Sequence, residues 1–208
     1  SSAHLIISPT EHEYSYEVEG TFNRGNGCHW LFPHNKTHQL DHTHAFIHLG
    51  IKFRVGALYS LEIPNYSHPM LDLVAEVNPI ELLGSSQIQE LLPLARRNSE
   101  QCCKQLDDIL APWLKRSKRD RHSELVKKVL PFIDDTAIAK LGDRLFCSQR
   151  TLERSFSRVT GLTLKQCQSM NKLEAMLEHL YQLNSRDIDW AEVALKFGFS
   201  DQPHLIRY

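Results

Sequence analysis

Three arginines at helical spacing, Arg150, Arg154 and Arg158, are the side chains of this sequence best suited to chemistry, and that chemistry is recognition of a polyanion. They lie in Ser148-Gln-Arg-Thr-Leu-Glu-Arg-Ser-Phe-Ser-Arg158, where Leu152, Phe156 and Val159 recur at i, i+4 and i+7 and predict one apolar helical stripe. The arginines turn away from that stripe together. A guanidinium is a charged planar fork that fits a phosphate or the O6/N7 edge of guanine, and a glutamine amide can pair with adenine. Gln149, Arg150, Glu153 and Arg154 are therefore the expected reading residues, although Glu153 could equally pair with a neighbouring arginine.

The elements around this helix must position it. Ser148 is a natural N-cap and Gly161 a left-handed stop. Upstream, Thr136 to Leu145 reads as a shorter helix with apolar Ile138, Leu141 and Leu145. Joined through Phe146-Cys147-Ser148, the two form a helix-turn-helix whose second helix suits a DNA major groove. A second copy follows. Asp189-Trp-Ala-Glu192 has capping-box spacing, Gly198 ends that helix, and Ser200 is the expected N-cap of another, with Pro203 tolerated in its first turn. Gln202, His204 and Arg207 take the outward places there. Between the units, Thr163-Leu-Lys-Gln166 opens a long amphipathic helix through Leu164, Cys167, Met170, Leu173, Met176, Leu177 and Leu180. Leu152, Phe156, Trp190, Val193 and Phe199 are expected core.

Residues from about 122 onward resemble the DNA-binding domain of AraC/XylS bacterial transcription regulators, through Leu145–Phe156, Thr160-Gly-Leu-Thr163 and Phe197-Gly-Phe-Ser-Asp-Gln-Pro-His-Leu-Ile-Arg207. The sequence departs from that pattern at Phe146, where glycine is usual, and at Gly142, where alanine is. The resemblance implies that the second reading helix continues past Tyr208 and that one more helix follows, so a C-terminal truncation is expected. It also implies double-stranded DNA and RNA polymerase as partners, with a small-molecule effector and a homodimer as options and activation or repression of transcription left open; the cysteine usage fits a cytoplasmic location.

The first part is β-rich. His4–Ser8, Tyr14–Val18, His29–Phe32 and Ala45–Arg54 carry strand-favouring residues, with turn signals at Gly25-Asn-Gly27 and Pro33-His-Asn35. In the last of these strands, Ile47, Leu49, Ile51 and Phe53 should face a core. Leu49–Tyr59 resembles the sensor domains of an AraC subgroup, which implies a cupin-like barrel and a small helix after this strand. Ser86 to Lys118 turns helical, and Pro93 should kink or break it; a helical hairpin beside the barrel follows, packed on it or on a second subunit. Lys115–Arg121 is a basic linker, read as a solvated hinge or an added phosphate contact, and Ser123 should cap the next helix.

The expected fold is thus α+β: a β-rich cupin-like domain with a helical hairpin over 1–118, then an all-α domain of two helix-turn-helix units over 119–208. Net charge is −1, and residues 121–208 carry 13 Lys and Arg against 11 Asp and Glu, so binding must rest on local arginine placement, not a bulk field. Five cysteines without a C-x-x-C pair suggest no disulfide framework, and no apolar run reaches membrane-span length. No phosphate loop, G-x-S-x-G, H-E-x-x-H or paired carboxylates are present, so neither an enzyme nor a cofactor is expected. The competing reading is a metal-binding cupin-like sensor or enzyme built on His29, His34, His38, His42, His44 and His48.

Overall fold

The structure, a computed structural model, describes residues 2–40, 47–61, 63, 69–84, 87–183 and 188–207. Its first part is built on strands β1 (Ala3–Ile7), β2 (Glu13–Val18), β3 (Thr21–Asn26), β4 (His29–Leu31), β5 (Gln39–Leu40), β6 (Leu49–Phe53) and β7 (Val74–Glu76). They form two antiparallel sheets, ordered β6-β1-β4-β7 and β3-β2-β5. Alternation along β1 buries Ala3, Leu5 and Ile7, and Leu5 lies opposite Trp30 on one side and Ile51 on the other. In β6, Ile51 and Phe53 face inward as expected, while Ile47 lies before the strand and is exposed. Ala45 and Phe46 fall outside the described residues.

The turn signal at Gly25-Asn-Gly27 is met at Gly27, which has φ +69° between β3 and β4, but the β2–β3 hairpin turns elsewhere. Gly25 and Asn26 belong to β3, and the chain reverses at Glu19-Gly20, both with positive φ, so that Val18 pairs with Thr21. A two-residue turn of this twist matches the twist of the strands it joins. Glu-Gly is a weaker signal for it than Asn-Gly, and β3, mostly exposed, has little apolar alternation to announce it.

Helix α1 (Ala57–Leu61) follows β6, as the resemblance implied, and α2 (Pro79–Leu83) follows β7. Then α3 (Ile88–Arg97) and α4 (Ser99–Lys115) make the helical hairpin, joined at Asn98, whose side chain caps α4. Pro93 does not break α3; the helix runs through it and ends at Asn98. The hairpin's apolar face is buried on its own sheet: Ile88, Leu91, Cys102, Ile109 and Trp113 join the core of Leu5, Trp30, Phe32 and Phe53. Trp113 meets Trp30 at 6.3 Å and Phe53 at 5.8 Å between ring centroids.

The second part is helical: α5 (Arg121–Val129) with a 3₁₀ turn at Leu130–Phe132, α6 (Ile138–Arg144), α7 (Gln149–Thr160), α8 (Leu164–Gln182), α9 (Trp190–Lys196) and α10 (Gln202–Arg207). The cap of α5 is Asp120, not Ser123. The Asp120 carboxylate accepts from the His122 and Ser123 amides at 2.9 and 2.8 Å, and the Ser123 hydroxyl at N3 accepts from the Asp120 amide. A carboxylate suits the positive end of a helix dipole, so it takes the cap and the serine reciprocates. Two small cores result. Val126, Val129, Ile133, Leu141, Leu152, Phe156 and Leu164 centre the first, and Met176, Val193, Ala194, Phe199 and Leu205 the second.

Candidate nucleic-acid interface

Helix α7 is held by its ends and by its buried face. The Ser148 hydroxyl accepts from the Thr151 amide at 3.2 Å, and Gly161 closes the helix at φ +74°. Leu152, Phe156 and Val159 are buried as their spacing predicts. A buried polar tie adds direction: His122 of α5 donates to the Ser155 hydroxyl at 3.0 Å, because its other ring nitrogen accepts from Arg121. Arg150, Arg154 and Arg158 consequently stand outward and exposed. Among the described residues, no hydrogen bond or ion pair engages them.

Gln149 is half-buried and partly committed. Its carbonyl accepts from the Gly142 amide at 3.3 Å, and its amide donates to the Glu153 carboxylate at 2.9 Å. Glu153 therefore takes its hydrogen bond from Gln149 and makes no ion pair with an arginine among the described residues. Of the first four expected reading residues, Arg150 and Arg154 are unencumbered, whereas Gln149 and Glu153 stiffen the front of the helix.

The turn before α7 departs from a glycine turn in two coupled ways. Phe146 has φ +53°, a left-handed conformation costing a residue with a Cβ roughly 1–2 kcal/mol, and its ring is 97% exposed. Four residues earlier, Gly142 is buried so close to the next helix that a Cβ would lie 2.9 Å from the Cys147 carbonyl and 3.0 Å from the Gln149 nitrogen. The glycine has in effect moved from the turn to the contact, and α6 meets the start of α7 backbone to backbone.

In the second unit, Asp189 caps α9 through the Ala191 and Glu192 amides. Ser200 is not the cap of α10; Asp201 is, accepting from the His204 amide at 2.7 Å. The His204 ring turns back to the Ser200 hydroxyl (3.1 Å) and stands edge-on to Phe199 (5.4 Å), so it completes a cap while remaining exposed. Gln202 is exposed, and Arg207 ends α10. Trp190, expected in the core, is 40% exposed, because its place at the first position of α9 lies outside the small second core.

Helix α8 joins the units without interruption, opened by the full Thr163–Gln166 capping box. Leu164, Cys167 and Met170 pack on the first core and Met176 and Leu180 on the second. Leu173 and Leu177, expected inside, are exposed: the apolar stripe passes from one core to the other, and these two lie between. Along α8 a groove of about 710 Å³ is lined by residues of both units, with Lys165, Lys172, Lys196 and His204 but also Asp134 and Asp135. The contribution of Lys172 and Lys196 to this groove was not apparent from periodicity, since each belongs to a different helix.

At its far end α7 meets the first part of the chain. Gly56, at φ +79°, lies where a Cβ would stand 2.9 Å from a Val159 methyl, and a Cβ on Gly161 would meet Pro69 and Leu71. Val55, Tyr59 and Leu71 pack against the first helical core. The Tyr59 hydroxyl donates to Asp120 at 2.7 Å, the Lys118 amide donates to the Ser60 carbonyl at 2.8 Å, and Lys52 pairs with Glu174. Asp120 is held down to about 2 by the Ser123 amide, with the Tyr59 hydroxyl and His122 amide adding to it. The basic linker is thus pinned at Lys118 and Asp120 and is no open hinge. A cleft of about 850 Å³ runs along this seam, lined by Lys52, Arg54 and Gly56 on one side and Arg119, Lys127 and Val159 on the other.

The histidine crowd divides. His29 is buried, donating to the Gly27 carbonyl (2.9 Å) and accepting from the Tyr16 hydroxyl (2.8 Å). Burial pushes Tyr16 up to about 12 and lowers His29. The His34 and His38 rings lie 4.6 Å apart, tilted by 31°, both lowered chiefly by burial. His48 is exposed, and His42 and His44 lie outside the described residues. Among the described residues, no group of three or more His, Cys, Asp or Glu side chains is gathered to hold a metal.

Residues 141–208, about a third of the chain, match the family described as a helix-turn-helix domain, which supports DNA as a partner of this segment. No match to a curated protein is found. Among the described residues, no helix is long and apolar enough to cross a membrane.

Proposed function

We propose that the chain is a sequence-specific transcription regulator of the AraC type that reads two successive major-groove segments, one with α7 and one with α10. The observation that carries this reading is the row of unengaged guanidiniums, Arg150, Arg154 and Arg158, on a helix capped at both ends and buried on its opposite face. Arg150 and Arg154 contact base edges and Gln149 and Glu153 hold them in register; Gln202, His204 and Arg207 form the second reading set. Helix α8, with 19 residues, is about 28 Å long and spaces the two sets for neighbouring turns of one duplex, roughly 34 Å apart. Phosphates beside the groove meet Lys165.

In this reading, residues 1–118 sense and 119–208 bind DNA, and the protein is a binding protein with no catalytic role. A small-molecule effector acts through the seam at Gly56 and Val159, where the cleft offers it room. Work in the cytoplasm as a homodimer that engages RNA polymerase as an activator belongs to the same proposal. The test is an electrophoretic shift on the DNA upstream of the gene itself. Arg150→Ala should cost about 1–3 kcal/mol at the specific site and relax base preference there. Wild-type affinity and preference in that variant would remove Arg150 from the reading set.

A further inference from the structure

Phe146 carries two costs with no visible return. Its φ of +53° is sterically disfavoured for a side chain with a Cβ, and glycine would adopt it freely. Its ring is 97% exposed, so packing recovers nothing. The other non-glycine residues with positive φ among the described residues use their side chains. Asp72 accepts from the Asn35 and Lys36 amides, and Glu19 pairs with Lys36. Backbone outliers that folding does not repay collect at functional positions.

The location narrows the function. Phe146 lies two residues before Ser148, the N-cap of α7, and so rides on the end of the helix that leads into a major groove. Gly142 fixes that end by backbone contact with Cys147 and Gln149, so the turn cannot drift away from the helix it precedes. At a base edge in the major groove, the apolar group within reach of an aromatic ring is the C5-methyl of thymine. We infer that Phe146 packs on a thymine methyl beside the base pair read by Arg150, and so adds an apolar specificity element to the first reading helix. This rests on the proposed role of α7.

The test is parallel selection from randomised DNA duplexes with the 208-residue chain and its Phe146→Gly and Phe146→Asn variants, both compatible with a left-handed turn. The wild-type protein should enrich a fixed thymine that neither variant enriches. Replacing that thymine by deoxyuridine, which lacks only the methyl, should weaken wild-type binding roughly four-fold, the value expected for one buried methyl group. The variants should be indifferent to the exchange and should melt no lower than wild type, which separates lost contact from lost folding. Identical enriched sequences and equal indifference to deoxyuridine in all three proteins would overturn the inference while leaving α7 as a reader, and would turn attention to a protein partner. No enrichment by the wild-type chain would overturn the reading of α7 and, with it, the role of Phe146.

Discussion

At the scale of single residues, α6 and the start of α7 meet at Gly142, where a Cβ would stand 2.9 Å from the Cys147 carbonyl. The stripe of Leu152, Phe156 and Val159 was legible because 3.6-residue periodicity leaves a helix no other way to bury them. That Gln149 would bond back to the Gly142 amide was not legible, since it depends on how closely two helices approach. The same holds for His204, whose ring completes a cap that only the observed start of α10 makes available. Gly142 is the residue on which the approach turns. A methyl there would press on the Cys147 carbonyl and the Gln149 nitrogen, backbone atoms that cannot rotate aside. Gly142→Ala should therefore lower unfolding stability by about 1–3 kcal/mol, even though alanine is the better helix former. A urea titration showing equal or greater stability would mean that the helices had room to part.

At the scale of elements, stops and some caps were legible in the sequence, while caps with an aspartate close by were not. Thr163–Gln166 and Gly161 behave as their local chemistry demands, because a cap involves only four or five neighbouring residues. The errors at Ser123 and Ser200 share one cause: in each case an aspartate nearby, Asp120 or Asp201, accepts from first-turn amides and so sets the helix start at a different residue. Helix α8 shows a different limit. Its apolar residues were identified correctly, but one stripe serving two cores leaves Leu173 and Leu177 outside both. Lys165, at the start of α8 beside the groove, should act on phosphate alone. Lys165→Ala is expected to weaken binding to all duplexes alike and to reduce the slope of log affinity against log salt by about 1. A loss confined to one sequence would instead make Lys165 a base reader.

At the scale of the whole molecule, the α+β division was legible from composition and periodicity, whereas the contact between the two parts was not, because it is made through glycines and short loops that have no pattern. The histidines give the first part its own dependence on pH. Burial lowers His4, His29, His34 and His38 below 6.5, their value in the unfolded chain, so the folded state favours the neutral rings. Their contribution to stability is complete above that value and is lost as pH falls through it toward the folded values, because the unfolded chain then binds more protons. The thermal midpoint should be lower at about pH 5.5 than at about pH 7.5, and a midpoint flat across this range would show that the rings titrate alike in both states. The seam itself has a mechanical consequence. Gly56 lies against Val159, and Gly161 lies against Leu71, so on each side a bare backbone touches the other side's branched carbon chain. At these two points no side chain pads the contact, so a small slip would drive a branched chain into backbone. For the halves to shift there both contacts would have to open together, which would make a signal crossing at these points a step and not a gradient.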